Sequence, residues 1–527
     1  VLNAPAHLAR LVRVGYVLAR EGALSLVDQT ELPPRARAGL WLARLIERKG
    51  EKGERAERLA AALTRLGPSY VKFGQFMATR PDVVGVRVAR DLEALQDRMK
   101  PFPRQEAVET VETALGQPLS RVFASFSEPV AAASIAQVHR AEVDAPAGPK
   151  TVAVKVLRPG VRARFRRDLD AMAFAADNIE RFAPETRRLK PTGVVATLAR
   201  SVTMEMDLRL EAAAMSEMAE NTREDADFRV PTVDWERTAR DVLTMEWIDG
   251  VPLNAIAAIE AAGHDRVALG RTVIQSFLRH ALRDGFFHAD MHPGNLFVDA
   301  QGRLCAVDFG IMGRLSPAER RFLAEILLGF ITRNYRRVAE VHFEAGYVPS
   351  HHAVDDFAQA IRAIGEPIHD RTADQISMAK LLTLLFEITG LFDMATRTEL
   401  VMLQKTMVVV EGVGRNLDPQ LDMWKTSEPV VREWIERNLG PVGRIEEAGR
   451  GALGLAGLLV HIPSLVTRAE RLALTLDEAT RRGFPLAPES VAEIGRAEAR
   501  RARWGNAALW VAASALVVIA GRLMGWF

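Results

Sequence analysis

His288-Ala289-Asp290-Met291-His292-Pro293-Gly294-Asn295, followed by Val307-Asp308-Phe309-Gly310, is the stretch on which the fold turns. Between its two halves lie the short apolar runs Asn295–Val298 and Leu304–Val307, joined by Asp299-Ala300-Gln301-Gly302. Apolar runs bounded by turn residues predict a hairpin. Two carboxylates and an amide held around such a hairpin suit phosphoryl transfer, which needs positioning and charge neutralisation more than covalent chemistry. Asp290 is the candidate to receive a proton from an attacking oxygen, and Asn295 and Asp308 are candidate metal ligands. His288 and His292 are four positions apart, but Pro293-Gly294 places them in a loop, where His288 braces the backbone.

Working outward, Asp290 and Asn295 have the spacing of the kinase catalytic loop H-R-D-x-x-x-x-N, and Asp308 opens a D-F-G. Upstream, Val152-Ala153-Val154-Lys155 matches the V-A-I-K strand, whose lysine holds the α- and β-phosphates of ATP. Such a lysine needs a carboxylate partner. Glu205, Asp207 and Glu211 lie on helical text, and Glu211 suits that role, with a solvated acidic face as the alternative for each. Glu246 closes the strand Asp241–Trp247, where a kinase hinge would meet adenine, though a plain strand-end carboxylate reads equally well. A glycine-rich loop is absent ahead of Lys155. Ala131, Ala132, Ala133 and Ser134 stand in its place, and alanine does not readily reach the positive φ that glycine does, so a stiffer nucleotide loop is expected.

The whole chain of 527 residues is too long for one core. Apolar residues make up 48% and charged residues 26%, an ordinary globular balance. A formal charge of +2 argues against a nucleic-acid binder working by massed basic charge. Cys305 is the one cysteine, so neither an intrachain disulfide nor a cysteine-built zinc site is possible. No secretory signal, flavin-type G-x-G-x-x-G or clear 2-His-1-carboxylate set stands out. Helical text fills 1–60, continues to Pro103 with interruptions at Gly67-Pro68 and Arg80-Pro81, and resumes over Arg162–Asn221. Strand text covers Phe123–Val143, Thr151–Leu157 and Asp241–Trp247, and helices dominate after Gly250. Strands first and helices later predict an α+β fold of two lobes, protein-kinase-like.

The chain also resembles the UbiB/AarF family of atypical kinases, over roughly residues 60 to 420. Lys72-Phe73-Gly74-Gln75 matches the family's K-x-G-Q, Ala131 to Ser134 its alanine-rich loop, and Glu205-Met206-Asp207 its E-x-D. His288 to Asn295 and Asp308 to Gly310 match its catalytic loop and metal motif. The resemblance implies ATP and Mg²⁺ as cofactors, with Lys72 and Gln75 facing the nucleotide and the E-x-D carboxylates. It implies an N-terminal helical extension lying where a protein kinase admits its peptide. It further implies a kinase or ATPase supporting ubiquinone biosynthesis, acting on or mobilising polyprenyl quinone precursors or membrane lipid, in company with other enzymes of that synthesis. Rival readings are a small-molecule phosphotransferase of the aminoglycoside or choline kinase sort and a non-catalytic kinase-fold scaffold.

These readings divide the chain into a helical region 1–60, a K-x-G-Q extension 61–128, lobes at 129–248 and 249–430, a helical region 431–503 and an anchor 504–527. The uncharged run Trp504–Gly521 approaches the roughly 20 residues that cross a bilayer. Arg496, Arg500, Arg501 and Arg503 precede it and Arg522 alone follows, so the expectation is one C-terminal span in the inner membrane with a cytoplasmic catalytic domain, a buried or interfacial terminal helix being the alternative. Ala508 and Ala512 form a small-xxx-small pair compatible with a homodimer.

Overall fold

Gly67 separates the first two helices of the K-x-G-Q text at a φ of 108°, and a side chain there would run into the guanidinium of Arg164. That guanidinium donates to the Leu66 carbonyl at 2.9 Å, so the turn is kept open for it. The computed structural model describes residues 4–23, 46–47, 55–78, 84, 88, 91–92, 95, 99–146, 148–182, 190–368, 384, 388, 390–394 and 398–440. The expected break at Arg80-Pro81 lies outside them. Within them run α1 (Ala4–Arg20), α2 (Arg55–Leu66), α3 (Pro68–Ala78), α4 (Arg104–Leu115) and the single turn α5 (Leu119–Val122). Then come β1 (Ser125–Ala132), β2 (Ala136–Val143), β3 (Lys150–Leu157), α6 (Val161–Phe182), α7 (Pro191–Glu205), α8 (Leu208–Asn221), β4 (Phe228–Arg229), β5 (Val242–Glu246) and β6 (Gly250–Pro252).

Strands β1-β2-β3-β5 form an antiparallel sheet in that order. β3 is buried on both faces, which is why it reads as a continuous apolar run rather than an alternation. Val152, Val154 and Val156 join Ala107 and Val111 of α4 in one apolar cluster. Ala153 and Leu157 join Leu208 and Met215 of α8 in another. Successive side chains alternate across a strand, so Lys155 shares the α8 face with Ala153 and Leu157. Burying each valine contributes about 1.5–3 kcal/mol, and a one-residue slip would swap every side chain to the wrong face. Register therefore fixes the direction of Lys155.

The second lobe contains α9 (Ile256–Ala261), α10 (Arg266–Arg279), β7 (Phe286–His288), β8 (Leu296–Asp299), β9 (Leu304–Ala306), β10 (Met312–Arg314), α11 (Pro317–Ile331), α12 (Tyr335–Glu344), α13 (Val354–Gly365), α14 (Thr398–Leu417) and α15 (Met423–Leu439). Asp265 caps α10, and Ser316 with Glu319 forms a capping box on α11. The expected hairpin is β8 paired with β9. Its turn is held by Asp299, whose Oδ1 accepts from the N–H groups of Gln301 at 3.0 Å and Arg303 at 2.9 Å. Gly302 supplies the φ of 80° that the turn requires. β6, β7 and β10 are additional: at three residues each they are too short to show a period in sequence. β4 runs parallel to β9, and β7 pairs with β10, closing the base of the catalytic loop.

The chain falls into two units, Val1–Arg437 and Asn438–Phe527, and nearly all of the second lies outside the described residues. The single C-terminal span, and the inner-membrane placement resting on it, are corrected. Among the described residues no helix is long and apolar enough to cross a membrane. The two of spanning length, α6 with 22 residues and α14 with 20, carry charges along their length, Arg166, Asp170 and Asp177 in one and Lys405, Glu411 and Arg415 in the other. The segment 504–527 itself lies outside the described residues.

Candidate active site

Lys155 is buried, and its ammonium donates to both oxygens of Glu211, at 2.7 and 3.0 Å, and to Oδ2 of Asp308 at 3.2 Å. The strand register aims Lys155 at α8, and Glu211 stands in the first turn of that helix. Of the three carboxylates proposed as its partner, Glu211 is the one that meets it. Burial opposes the charge on Lys155, but Asp308 and Glu211 more than offset that and hold its pKa above the ordinary range. Burial raises the Glu211 carboxyl, against the pull of Lys155. Desolvation also works against ionisation of Asp308. Its side chain is still 42% exposed, however, and Lys155 with the Gly310 N–H at 3.0 Å holds the carboxyl down at about 2.

The catalytic-loop text is braced from several directions. The Asp290 N–H donates to His288 Nδ1 at 3.0 Å, so that nitrogen is unprotonated and His288 braces the backbone as expected, though from the end of strand β7 rather than from a loop. Burial lowers the His288 pKa, against the raising effect of the Asp290 and Asp308 charges. Asn295 donates its side-chain N–H to the Asp290 carbonyl at 3.1 Å and to the Asp290 carboxylate at 3.2 Å. Its amide oxygen has no hydrogen-bond partner among the described residues and is free to meet a cation. Thr406, fully buried in α14, donates to the carbonyls of Ala289 at 3.0 Å and Met402 at 2.9 Å. Sequence reasoning missed Thr406, because a lone threonine on an apolar helix carries no local signal.

The alanine-rich loop is the tight turn from β1 to β2. The Ala133 N–H donates to the Ala136 carbonyl at 2.8 Å, and Arg158 donates to the Ala133 carbonyl at 2.9 and 3.1 Å. Arg158 also reaches the Lys100 carbonyl at 2.8 Å, and the Met99 N–H donates to the Ala132 carbonyl at 3.2 Å. Ala132 and Ala133 are thus tied to the residues arriving from the K-x-G-Q region, Ala131 is paired with Val138 in the sheet, and Ser134 is buried. Arg158 was the second residue missed. Its role depends on contacts with residues distant in sequence.

Lys72, on α3, pairs with Glu205 at the end of α7 at 2.8 Å. Asp207 turns elsewhere: it caps α8 and takes two bonds from Arg209, at 2.9 and 2.7 Å, and Arg209 as its leading influence holds its carboxyl low. Gln75 is half-buried on the same helix as Lys72. Glu246 accepts from Arg229 at 2.5 Å and from the N–H and hydroxyl of Thr232 at 3.3 Å, so its carboxylate is engaged within the protein.

Comparisons with known proteins place the chain in a family. The ABC1 atypical kinase-like domain matches residues 94–342, and the UbiB helical domain matches 361–422. "Probable protein kinase UbiB" of Marinobacter nauticus is 38% identical over 526 residues, covering 97% of this chain and 94% of the relative. This chain belongs to the UbiB family. The "Probable protein kinase UbiB" of Xanthomonas euvesicatoria pv. vesicatoria is 38% identical over 467 residues, 87% of this chain and 83% of the relative. Among solved structures, the complex of Rv3197 with erythromycin from Mycobacterium tuberculosis is similar at a TM-score of 0.47 and 24% identity, over 78% of this chain and 99% of that one. The ABC1 match spans Lys155, Glu211, Asp290, Asn295 and Asp308, and the UbiB helical match holds Thr406. The two-lobe α+β fold is therefore the kinase-like fold of the UbiB family.

Proposed function

We propose that this UbiB-family protein uses ATP with Mg²⁺, as an ATPase or a phosphotransferase, to support ubiquinone biosynthesis by acting on or mobilising polyprenyl quinone precursors. The observation that carries the reading is the buried Lys155 held between Glu211 and Asp308. A protein with no use for a triphosphate gains little from burying a lysine with a carboxylate and turning it toward a second, half-exposed one, since desolvating such ions offsets much of their attraction. The donor set fits a hard cation, with the Asp308 carboxylate and the free Asn295 amide oxygen as ligands. When bound, Mg²⁺ would neutralise triphosphate charge. Lys155 would hold the α- and β-phosphates, and the loop of Ala131, Ala132, Ala133 and Ser134 would cover them. Asp290, fixed by Asn295, would receive the proton of the attacking oxygen.

The Lys72–Glu205 ion pair supports a second part of the reading. We place the K-x-G-Q helices over the groove that would otherwise admit a peptide, with Gln75 beside the nucleotide, so the acceptor is water or a small molecule rather than a protein. The test is phosphate release from ATP by the purified full-length chain, with and without an isoprenoid phenol, beside labelled-ATP transfer to casein. Release that rises with the phenol, and little casein labelling, are expected. Strong casein labelling with no response to the phenol would contradict the proposal.

A further inference from the structure

A cluster in the second lobe, away from the residues assigned above, has the composition of a metal site. His351 and His352 lie in the turn between α12 and α13, and Asp393 lies in the stretch that precedes α14. Oδ2 of Asp393 is 3.4 Å from Nε2 of His352 and 3.7 Å from Nε2 of His351. One ligand atom from each of the three residues lies within 4.8 Å of the others.

The setting holds His352 in place, while His351 and Asp393 are exposed beside it. The two imidazole centroids are 4.1 Å apart, and the His352 ring packs on Phe392 at 5.2 Å. Phe392 is buried with Phe357, Val348 and Ile388 in the apolar cluster beneath. Nε2 of His352 is shielded from solvent yet makes no hydrogen bond among the described residues. Asp393 adopts a φ of 48°, a left-handed conformation that aspartate tolerates better than most residues. The backbone is thus bent in a way that presents the carboxylate to both histidines.

Ligand chemistry and spacing narrow the ion. Two imidazoles with one carboxylate suit zinc and its first-row neighbours better than magnesium or calcium. Tetrahedral bonds of about 2.0–2.1 Å place ligand atoms about 3.3 Å apart. Octahedral bonds of about 2.1 Å would place neighbouring ligands about 3.0 Å apart. The observed 3.4 and 3.7 Å sit closer to the tetrahedral value. We propose that His351, His352 and Asp393 bind a divalent transition metal of the zinc class, with water in the fourth position. The ion would fasten the turn after α12 to the stretch before α14, joining the region between the two family matches to the UbiB helical domain. No such set was visible in sequence, because the carboxylate lies far along the chain from the paired histidines.

The experiment is visible absorption of the metal-free full-length chain titrated with Co²⁺ in excess Mg²⁺, which keeps hard-oxygen sites filled. A strong d–d band of tetrahedral type, saturating at one equivalent and displaced by Zn²⁺, is expected. Asp393→Asn preserves the tolerance for left-handed backbone, and His351→Gln alters an exposed side chain. Each should weaken Co²⁺ binding at least tenfold. Asp308→Asn should leave the band unchanged. Absence of the band, or its survival in the Asp393→Asn and His351→Gln variants with circular dichroism unaltered, would overturn the proposal. Loss of the band in Asp308→Asn would do so as well, by moving the ion to the nucleotide site.

Discussion

Among the described residues, two lysine–glutamate pairs join separate elements, and they do so differently. Lys155–Glu211 links a central strand to a helix, with both glutamate oxygens engaged and Asp308 as a third member at 3.2 Å. Lys72–Glu205 links two helices, α3 and α7, through a contact of 2.8 Å. The first pair sits where sheet register leaves its lysine no other direction. The second depends on how the K-x-G-Q helix packs against its neighbours. A pair set by strand register is fixed by local pattern, whereas a pair set by helix docking is only as firm as that docking.

Lys155→Ala should show the largest effect. Removing one partner of a buried pair typically costs about 3–5 kcal/mol, because the other charge is left uncompensated. Glu211 can soften the loss by taking up a proton, since burial already raises its carboxyl, so about 3 kcal/mol is expected in urea unfolding at neutral pH. The pH dependence sharpens this. A carboxyl raised in the folded state binds more protons there than when unfolded, so stability falls as pH rises through that range. The deficit of Lys155→Ala against wild type should therefore widen from the ordinary carboxylate range, near 4.5, toward neutrality. A deficit that does not change with pH would show that Glu211 does not answer to Lys155.

Lys72→Ala should cost less, about 1.5–2 kcal/mol, the lower part of the range for a hydrogen bond to a charged group. The same variant tests the groove, because loosening α3 should raise casein labelling if that helix excludes peptides. A cost equal to that of Lys155→Ala would erase the distinction between the pairs.

What could be read in the sequence follows the same division. Lys155, Asp290, Asn295 and Asp308 stood out in the sequence because each lies in a short run of consecutive residues, a strand end or a tight turn, that matches a kinase motif. The β8–β9 hairpin and its Asp299 turn were legible from an equally local pattern, apolar runs bounded by turn residues. Lys72 carried no residue-level signal and entered only through family resemblance. Thr406 and Arg158 were missed because their partners, Ala289, Ala133 and Lys100, are brought to them by tertiary packing. Glu246 was read by position alone, and its carboxylate turned out to be held by Arg229 and Thr232.

Thr406→Val probes the support behind Asp290 without touching the site itself. It replaces a hydroxyl that donates to the Ala289 carbonyl with a methyl of similar size. About 1 kcal/mol of stability should be lost, with a weaker catalytic rate and unaltered nucleotide affinity. Equal nucleotide and rate effects would place Thr406 in general packing rather than behind the loop.

Gly74→Ala should show the smallest effect. A β-carbon there would come within 2.7 and 2.8 Å of the δ-carbons of Leu63 and Leu95. Such crowding costs about 1–3 kcal/mol in a core, but these are flexible side-chain ends and alanine regains about 1 kcal/mol of helix propensity. The net change should stay within about 1 kcal/mol, read from the urea midpoint. A loss comparable to that of Lys155→Ala would mean that the K-x-G-Q helix is held as rigidly as the sheet.

The central claim is that Asp308 and Lys155 form the ATP·Mg²⁺ site, and thermal-shift titration of ATP with Mg²⁺ tests it most directly. Wild type should show a midpoint that climbs with nucleotide only when Mg²⁺ is present. In Asp308→Asn that climb should vanish, while the unliganded protein still melts in one transition. An unchanged nucleotide-dependent shift in the variant would remove Asp308 from the site and contradict the account.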